Sequence, residues 1–277
     1  MKGRVPRAAT STVIVVGAGE MSDDVYVALE ALVQTAGVRP IVVTLGDKTE
    51  PQRSDRNGTT LIEGLLPRYL DNAFASLRLS SLPAIAWWRQ PSTDGLEELA
   101  DLVDRVILDV ADPTELWALV PELSSRTGLS DLRWTRLTRW RDLFAQFFDL
   151  PEVSAASEAF TALEITGGDP HAARLLAGWI RSRLPDGDRL KVTIAADGRQ
   201  APIRSLRLRD DSLELSLRLL ASDICIETVA TLPAVAPCSR VVSAGDQRLA
   251  ALMGEELRVR SRDVAFEDAV AAAGEIS

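Results

Sequence analysis

Short continuous apolar runs alternate with helical periodicity along the first half of the chain. TVIVVG (12–17), PIVVTLG (40–46), LPAIAWWR (82–89) and RVILDV (105–110) have strand length and no polar alternation, the pattern of strands covered on both faces. Between the first two, SDDVYVALEALVQTAG (22–37) has helical periodicity, with Ser22 placed as N-cap and Gly37 just past the end. Asp94 and Glu97 have capping-box spacing before an apolar face of Leu96, Leu99, Ala100 and Val103. Asp112-Pro113-Thr114-Glu115 then supplies N-cap, N1 proline and N3 acid for the next helix. GDKTEPQRSDRNGTT (46–60) is loop by composition, and LIEGLLPRYLDNAF after it is predicted helical despite Pro67. This order implies an N-terminal α/β domain over 1–150, a Rossmann-like layer with a mainly parallel sheet.

From 151 to 277 the pattern changes. A strand FTALEIT and a helix DPHAARLLAGWIRSRL precede SLRLR (205–209) and SLELSLRL (212–219), whose leucines alternate with polar residues around Asp210-Asp211. That is an antiparallel hairpin with one wet face. DICIETV (223–229) and SRVVS (239–243) extend the sheet, and helices near 246–260 and 263–273 close a C-terminal α+β domain.

A length of 277 residues suits two domains with cores that need neither disulfides nor metal. With 46% hydrophobic and 26% charged residues the chain is of globular rather than disordered composition. No apolar run nears the roughly 20 residues of a membrane span. MKGRVPRAATST has basic residues without an apolar core behind them, so a cytoplasmic protein is expected. A net charge of -9 disfavours nucleic acid as a partner. Cys225 and Cys238 lack CxxC spacing and read as two reduced thiols on strands. The single histidine, His171, follows the helix start Asp169-Pro170 and supports neither a metal site nor a Ser-His-Asp triad.

VIVVGAGEMSDD places Gly17 and Gly19 between a strand and a helix, as a dinucleotide-binding turn would. However, the third glycine is missing, and Glu20, Asp23 and Asp24 stand where a pyrophosphate would settle. No resident cofactor is expected. Asp112 is accounted for as an N-cap and Asp210-Asp211 as a turn, while Asp109 ends a buried strand, where ligands of open α/β sheets bind. In LPAIAWWR, Trp87 and Trp88 point to opposite faces; either one emerges beside Arg89 as an interface anchor, or helices cover both. DLRWTRLTRWRDLFAQ (131–146) gathers Arg133, Arg136, Arg139 and Arg141 with Trp134 and Trp140. If Thr138 caps a helix, Arg139 and Arg141 lie in its first turn, which the helix dipole disfavours. Arg136, Arg139 and Arg141 would then suit an anion or an acidic partner, unless they pair with Asp131, Asp142 and Asp149.

SLPAIAWWR, VDRVILDV, DLRWTRLTRWRDLFAQ and HAARLLAGWIRSRL, in this order, strongly resemble the OpcA family of glucose-6-phosphate dehydrogenase assembly proteins, most clearly over 82–184. The resemblance places Trp87, Trp88 and Arg89 in the family's WW strand and Asp104, Arg105 and Asp109 in the strand after it. It places Trp134, Thr135, Arg136, Leu137, Thr138, Trp140 and Arg141 in its WTRLTxWR motif, and Gly178, Trp179 and Arg183 in its last motif. The chain departs from the pattern at Arg139, where the family has proline, and at Ser81, where it has an acid. The family's extended strands before the WW strand are not legible between 46 and 80, and no cysteine falls in a matched motif, so no redox switch is carried over.

The resemblance implies a non-catalytic assembly factor or allosteric activator of glucose-6-phosphate dehydrogenase. The expected partner- or anion-binding residues are Trp87, Trp88, Arg89, Trp134, Arg136, Arg139, Trp140 and Arg141. A phosphate-bearing metabolite is a further candidate ligand. The alternative is an α/β enzyme or small-molecule binder acting on a nucleotide or sugar phosphate at Gly17, Arg89 and Asp109.

Overall fold

The continuous apolar runs become strands buried on both faces, as their lack of alternation requires. The structure is a computed structural model and describes residues 9–48, 50–77, 81–198, 201–233, 236–259 and 261–276. It divides into two compact units, one reaching through Leu132 and taking in Gln247–Asp263, the other made of Arg133–Asp246 and the stretch from Val264 on. The division thus falls at 132/133 rather than 150, and a late segment returns to the first unit, which linear patterning cannot reveal.

Among the described residues the first unit has seven strands: β1 (Ser11–Ala18), β2 (Val38–Lys48), β3 (Gln52–Arg56), β4 (Thr59–Leu65), β5 (Ala84–Trp88), β6 (Arg105–Leu108) and β7 (Gly128–Asp131). Their order is β3-β4-β2-β1-β5-β6-β7, parallel throughout except for β3 against β4. Helices α1 (Asp23–Ala36), α2 (Leu70–Leu77), α3 (Leu96–Ala100), α4 (Thr114–Ala118) and α5 (Val120–Leu123) connect them. Because β2 lies on one side of β1 and β5 on the other, the chain reverses its direction of winding at β1/β5, where crevices form beyond the strand ends.

The stretch 46–80 departs from expectation. β3 and β4 form a hairpin whose turn residues Asn57 (φ 55°) and Gly58 (φ 83°) both have positive φ, as a two-residue type I′ turn demands. All five β3 residues are exposed, so no apolar alternation marks the strand. The expected helix begins late, after β4 and a single 3-10 turn at Pro67–Tyr69. β7 was also illegible, since its Ser130 and Asp131 are polar yet fully buried.

A late helix completes one face of this sheet. Leu252 and Met253 of α10 (Leu249–Glu256) join Val25, Leu29 and Leu32 of α1 over Val13, Val15, Trp87 and Ile107. Each such burial stabilises by about 1.5–3 kcal/mol relative to exposure. Glu256 of α10 also forms a buried ion pair with Arg105 Nη2 at 2.9 Å, accepts a hydrogen bond from Arg105 Nε at 3.0 Å, and accepts another from Ser130 Oγ at 2.8 Å. A buried pair of this kind fixes placement more than it adds stability.

The second unit carries α6 (Leu132–Arg136), which begins at the division, followed by α7 (Thr138–Ala145), α8 (Pro151–Ala155), α9 (Pro170–Arg183) and α11 (Val264–Gly274). Its strands are β8 (Ala162–Gly167), β9 (Lys191–Ala196), β10 (Ser205–Arg209), β11 (Glu214–Leu219), β12 (Cys225–Thr231) and β13 (Cys238–Ser243). They lie in the order β13-β12-β11-β10-β8-β9, antiparallel except for β8 with β9, which α9 joins as a crossover. Leu206, Leu208, Leu215 and Leu217 are fully buried on one face. The opposite face carries cross-strand ion pairs, among them Arg207–Glu164 (3.4 Å) and Arg218–Glu227 (2.8 Å).

The helix at DPHAARLLAGWIRSRL is found as expected, with the Asp169 carboxylate accepting from the His171 and Ala172 backbone N–H groups. Gly178 lets α9 approach α11 backbone to backbone: a Cβ there would meet Ala273 N at 2.7 Å. That requirement explains a glycine inside a helix, where it is otherwise unfavourable.

Candidate functional site

The residues singled out at the β1/β5 reversal come together. Arg89, just past β5, pairs through Nε with Asp109 Oδ2 at 3.1 Å, donates through Nη1 to Ser22 Oγ at 3.3 Å, and lies 5.5 Å from the Trp87 ring centroid. Asp109 Oδ2 also accepts from Trp87 Nε1 at 3.1 Å. Cation, anion and indole donor therefore satisfy one another. Trp87 and Trp88 are both fully buried, so neither emerges beside Arg89 as an interface anchor; β5 is the doubly covered strand. Trp88 Nε1 has no hydrogen-bond partner among the described residues.

The dinucleotide reading can be tested on the same geometry. The end of the Met21 side chain lies in the space beside Gly17 that a Cβ would need, with Arg89 Cβ 3.6 Å away. Ser22 Oγ donates to Asp24, and Asp23 and Asp24 occupy the first turn of α1, where two carboxylates oppose an anionic ligand. The residues present do not fit a dinucleotide at this position.

In the second cluster, local structure differs from expectation. Leu137 is helical (φ -83°, ψ -7°) and its N–H bonds to Arg133 O at 3.0 Å, so the turns of α6 run into α7 and Thr138 is no cap. The arginines therefore do not surround a free helix start. Trp134 and Trp140 are buried, Trp134 against Phe266 at 5.9 Å between ring centroids. Arg141 lies 3.5 Å from the Trp134 ring centroid and donates through Nη2 to Trp134 O and Thr138 Oγ1. Arg133 pairs with Asp169, the α9 cap, at 2.9 Å. Much of the motif thus holds its own unit together.

Arg136 and Arg139 remain available. Neither has an ion-pair partner among the described residues, and Arg139 Nε donates only to a backbone carbonyl, Ser243 O of β13, at 3.0 Å. Arg240, also on β13, reaches Gln146 Oε1 at 3.2 Å. Asp131, one of the acids expected to neutralise the arginines, is buried as acceptor of Trp117 Nε1 at 3.0 Å. Arg240 escaped notice because strand and helix are about a hundred residues apart; no local spacing signals their approach.

Cys225 and Cys238 are free thiols at the starts of β12 and β13. The register pairs Cys225 with Ser243 and Cys238 with Ala230, which separates the two cysteines by about 17 Å along the ladder, beyond the roughly 7 Å a disulfide tolerates. Among the described residues no group of three or more His, Cys, Asp or Glu side chains could hold a metal ion. No helix among them is long and apolar enough to cross a membrane.

Residues 127–270 match the family model OpcA_G6PD_C, described as the C-terminal domain of a glucose-6-phosphate dehydrogenase subunit. The chain is 30% identical over 118 residues to a Nostoc punctiforme protein named as an OxPP cycle protein, OpcA; the aligned stretch is 39% of this chain and 25% of that protein. A Synechococcus elongatus protein of the same name is 33% identical over 119 residues, 40% of this chain and 27% of that one. The chain therefore spans about a quarter of the length of these curated relatives. Among solved structures, KijD10, a 3-ketoreductase from Actinomadura kijaniata solved with NADP, superposes with TM-score 0.58 at 12% identity, covering 96% of this chain and 95% of that one. The apo form of levoglucosan dehydrogenase gives TM-score 0.52 at 9% identity, covering 96% and 88%. At such identities the likeness concerns the fold alone.

Proposed function

The chain belongs to the OpcA family, and from that premise we propose that it is a non-catalytic partner of glucose-6-phosphate dehydrogenase that promotes the dehydrogenase's active, assembled state. The observation that carries the reading is the family match over 127–270, whose description names that dehydrogenase. The strand-end cluster is consistent with it, because Arg89, Asp109 and Trp87 engage one another. A cytoplasmic setting, where that dehydrogenase works, follows from the same reading.

In mechanism, a non-catalytic partner acts only through differential affinity. It raises activity by binding one conformation or oligomer of the dehydrogenase more tightly than another and shifting the population toward it. Of the eight residues expected to make contact, Arg136 and Arg139 are the ones whose side chains stand available for it. The four tryptophans act from inside, and Arg89 and Arg141 fix the elements around them.

The test is a titration of the dehydrogenase encoded in the same genome, at fixed glucose-6-phosphate, with activity and particle size followed together. A saturable rise in activity or a change in size is the expected result. No change in either, with no complex detected, removes the proposal and turns attention to phosphate ligands.

A further inference from the structure

We infer that the open edge of β13 is a strand-addition site for an extended, acidic segment of the protein partner; this rests on the partner reading above and names the surface and chemistry of the contact. Sheet order leaves β13 with a single neighbour among the described residues, β12. The bond from Ala244 N–H to Ile224 O (2.8 Å) continues the β12/β13 register by one pair. In an antiparallel ladder, hydrogen-bonded and non-bonded pairs alternate. The bonded pairs are therefore Ile226/Val242, Thr228/Arg240 and Ala230/Cys238, and Ser239, Val241 and Ser243 aim their backbone N–H and C=O groups away from β12. Among the described residues only the Ser243 carbonyl of this outward row has a partner, Arg139 Nε.

Edge strands are ordinarily blunted by a bulge, a proline, charged side chains or a covering element; on β13 these come down to Arg240 and the Arg139 contact at Ser243 O. β13 has an unbroken six-residue register and no proline, and its outward row reads Ser, Val, Ser, with Val241 57% exposed. Such an edge pairs readily with an added strand.

The flanking charges select the occupant. Arg139 touches the end of the strand, Arg240 lies on it, and Arg136 precedes Arg139 by one helical turn. Against these three arginines stand Asp142 on the same helical stripe and Glu227 opposite Val241, the latter paired with Arg218 at 2.8 Å, so the border keeps a basic excess in a chain of net charge -9. A second copy paired edge to edge would bring Arg139 and Arg240 against their own counterparts, whereas a segment carrying Asp or Glu beside small or β-branched residues gains from the same border.

Hydrogen–deuterium exchange on the full chain, alone and with the dehydrogenase of the same genome, tests the assignment. The expected result is slowing of the Ser239, Val241 and Ser243 amides by about tenfold or more on complex formation, with β9 at the far edge unchanged. Val241→Pro, which removes an outward N–H, should weaken binding by about tenfold. Arg136→Glu with Arg139→Glu, which leaves β13 intact, should weaken it comparably and more at low salt. A complex that forms without slowing these amides overturns the edge assignment and leaves the proposed function standing. No complex at all overturns both. Slowing that appears in the chain alone as it dimerises would make the occupant a second copy and overturn the acidic-partner assignment.

Discussion

At the strand ends of the first unit, arginine, tryptophan and aspartate satisfy one another; on the flank of the second, two arginines of an equally rich cluster meet no acid among the described residues. Both clusters combine Arg with Trp, and composition alone does not separate them. The difference lies in what each arginine meets. Arg89 finds Asp109 at 3.1 Å, whereas Arg139 finds a backbone carbonyl. The two are similarly half-buried, but a cation already paired with a carboxylate has little left to offer a ligand, while one that meets only a carbonyl keeps most of its charge for a partner. Function is therefore better sought where the local bonding is incomplete than where aromatic and charged residues are densest.

The contrast can be broken first at its buried anchors. Trp134→Ala removes a buried ring that packs on Phe266 and carries the Arg141 guanidinium. Denaturant unfolding should show a loss of about 3–5 kcal/mol. A loss under about 1 kcal/mol would mean that the motif does not anchor its unit. Glu256→Ala should cost about 3–5 kcal/mol by leaving Arg105 charged, buried and without its carboxylate. Replacing both partners, Arg105→Met with Glu256→Leu, should cost much less, and equal losses would count against the pair as the reason.

Smaller effects sharpen the contrast. Arg89→Ala should lower stability by about 1–2 kcal/mol, since Asp109 keeps only the Trp87 donor. Neither the variant nor the parent chain should gain thermal stability from NADP, because a ligand that binds the native state must raise it; a saturable rise would reopen the strand ends as a nucleotide site. Arg136→Ala should change stability by less than about 0.5 kcal/mol while reducing dehydrogenase binding; unchanged binding would remove Arg136 from the surface. The smallest effect concerns Asp101, whose carboxyl is held below its ordinary value of 3.8 by the hydrogen bond from Arg126. A depressed carboxyl contributes stability above its ordinary value and loses it as pH falls through the lower folded value. Asp101→Asn should therefore lower stability slightly at neutral pH and converge with the parent in acid, which flattens the acid limb of the stability curve; a difference confined to acid pH would contradict the sign.

The buried parallel strands were legible because burial on both faces leaves a run of apolar residues, as in β1, β2, β5 and β6. The β10/β11 hairpin was legible from the alternation that burial on one face imposes. β3 was not, since an exposed edge strand needs no apolar residue, although Asn57-Gly58 marked the turn that makes it. Arg136 and Arg139 were legible as candidates from their number and setting, but the helix-start geometry proposed for them was not correct. Helical continuity through Leu137 follows from the fold around it, not from Thr138's preference for a cap.

By itself the sequence determined the two kinds of sheet, most helix positions, the absence of a complete glycine signature at Gly17, and the family motifs, because each depends on residues within a turn or two of one another. Only the tertiary structure decided that residues 247–263 return to the first unit, that Asp109 neutralises Arg89, and that β13 lies beside Arg139 and Gln146. Those contacts join segments from twenty to more than a hundred residues apart. Chain connectivity places no local mark on such pairs; packing brings them together, and packing thereby determines which charges are consumed and which remain for a partner.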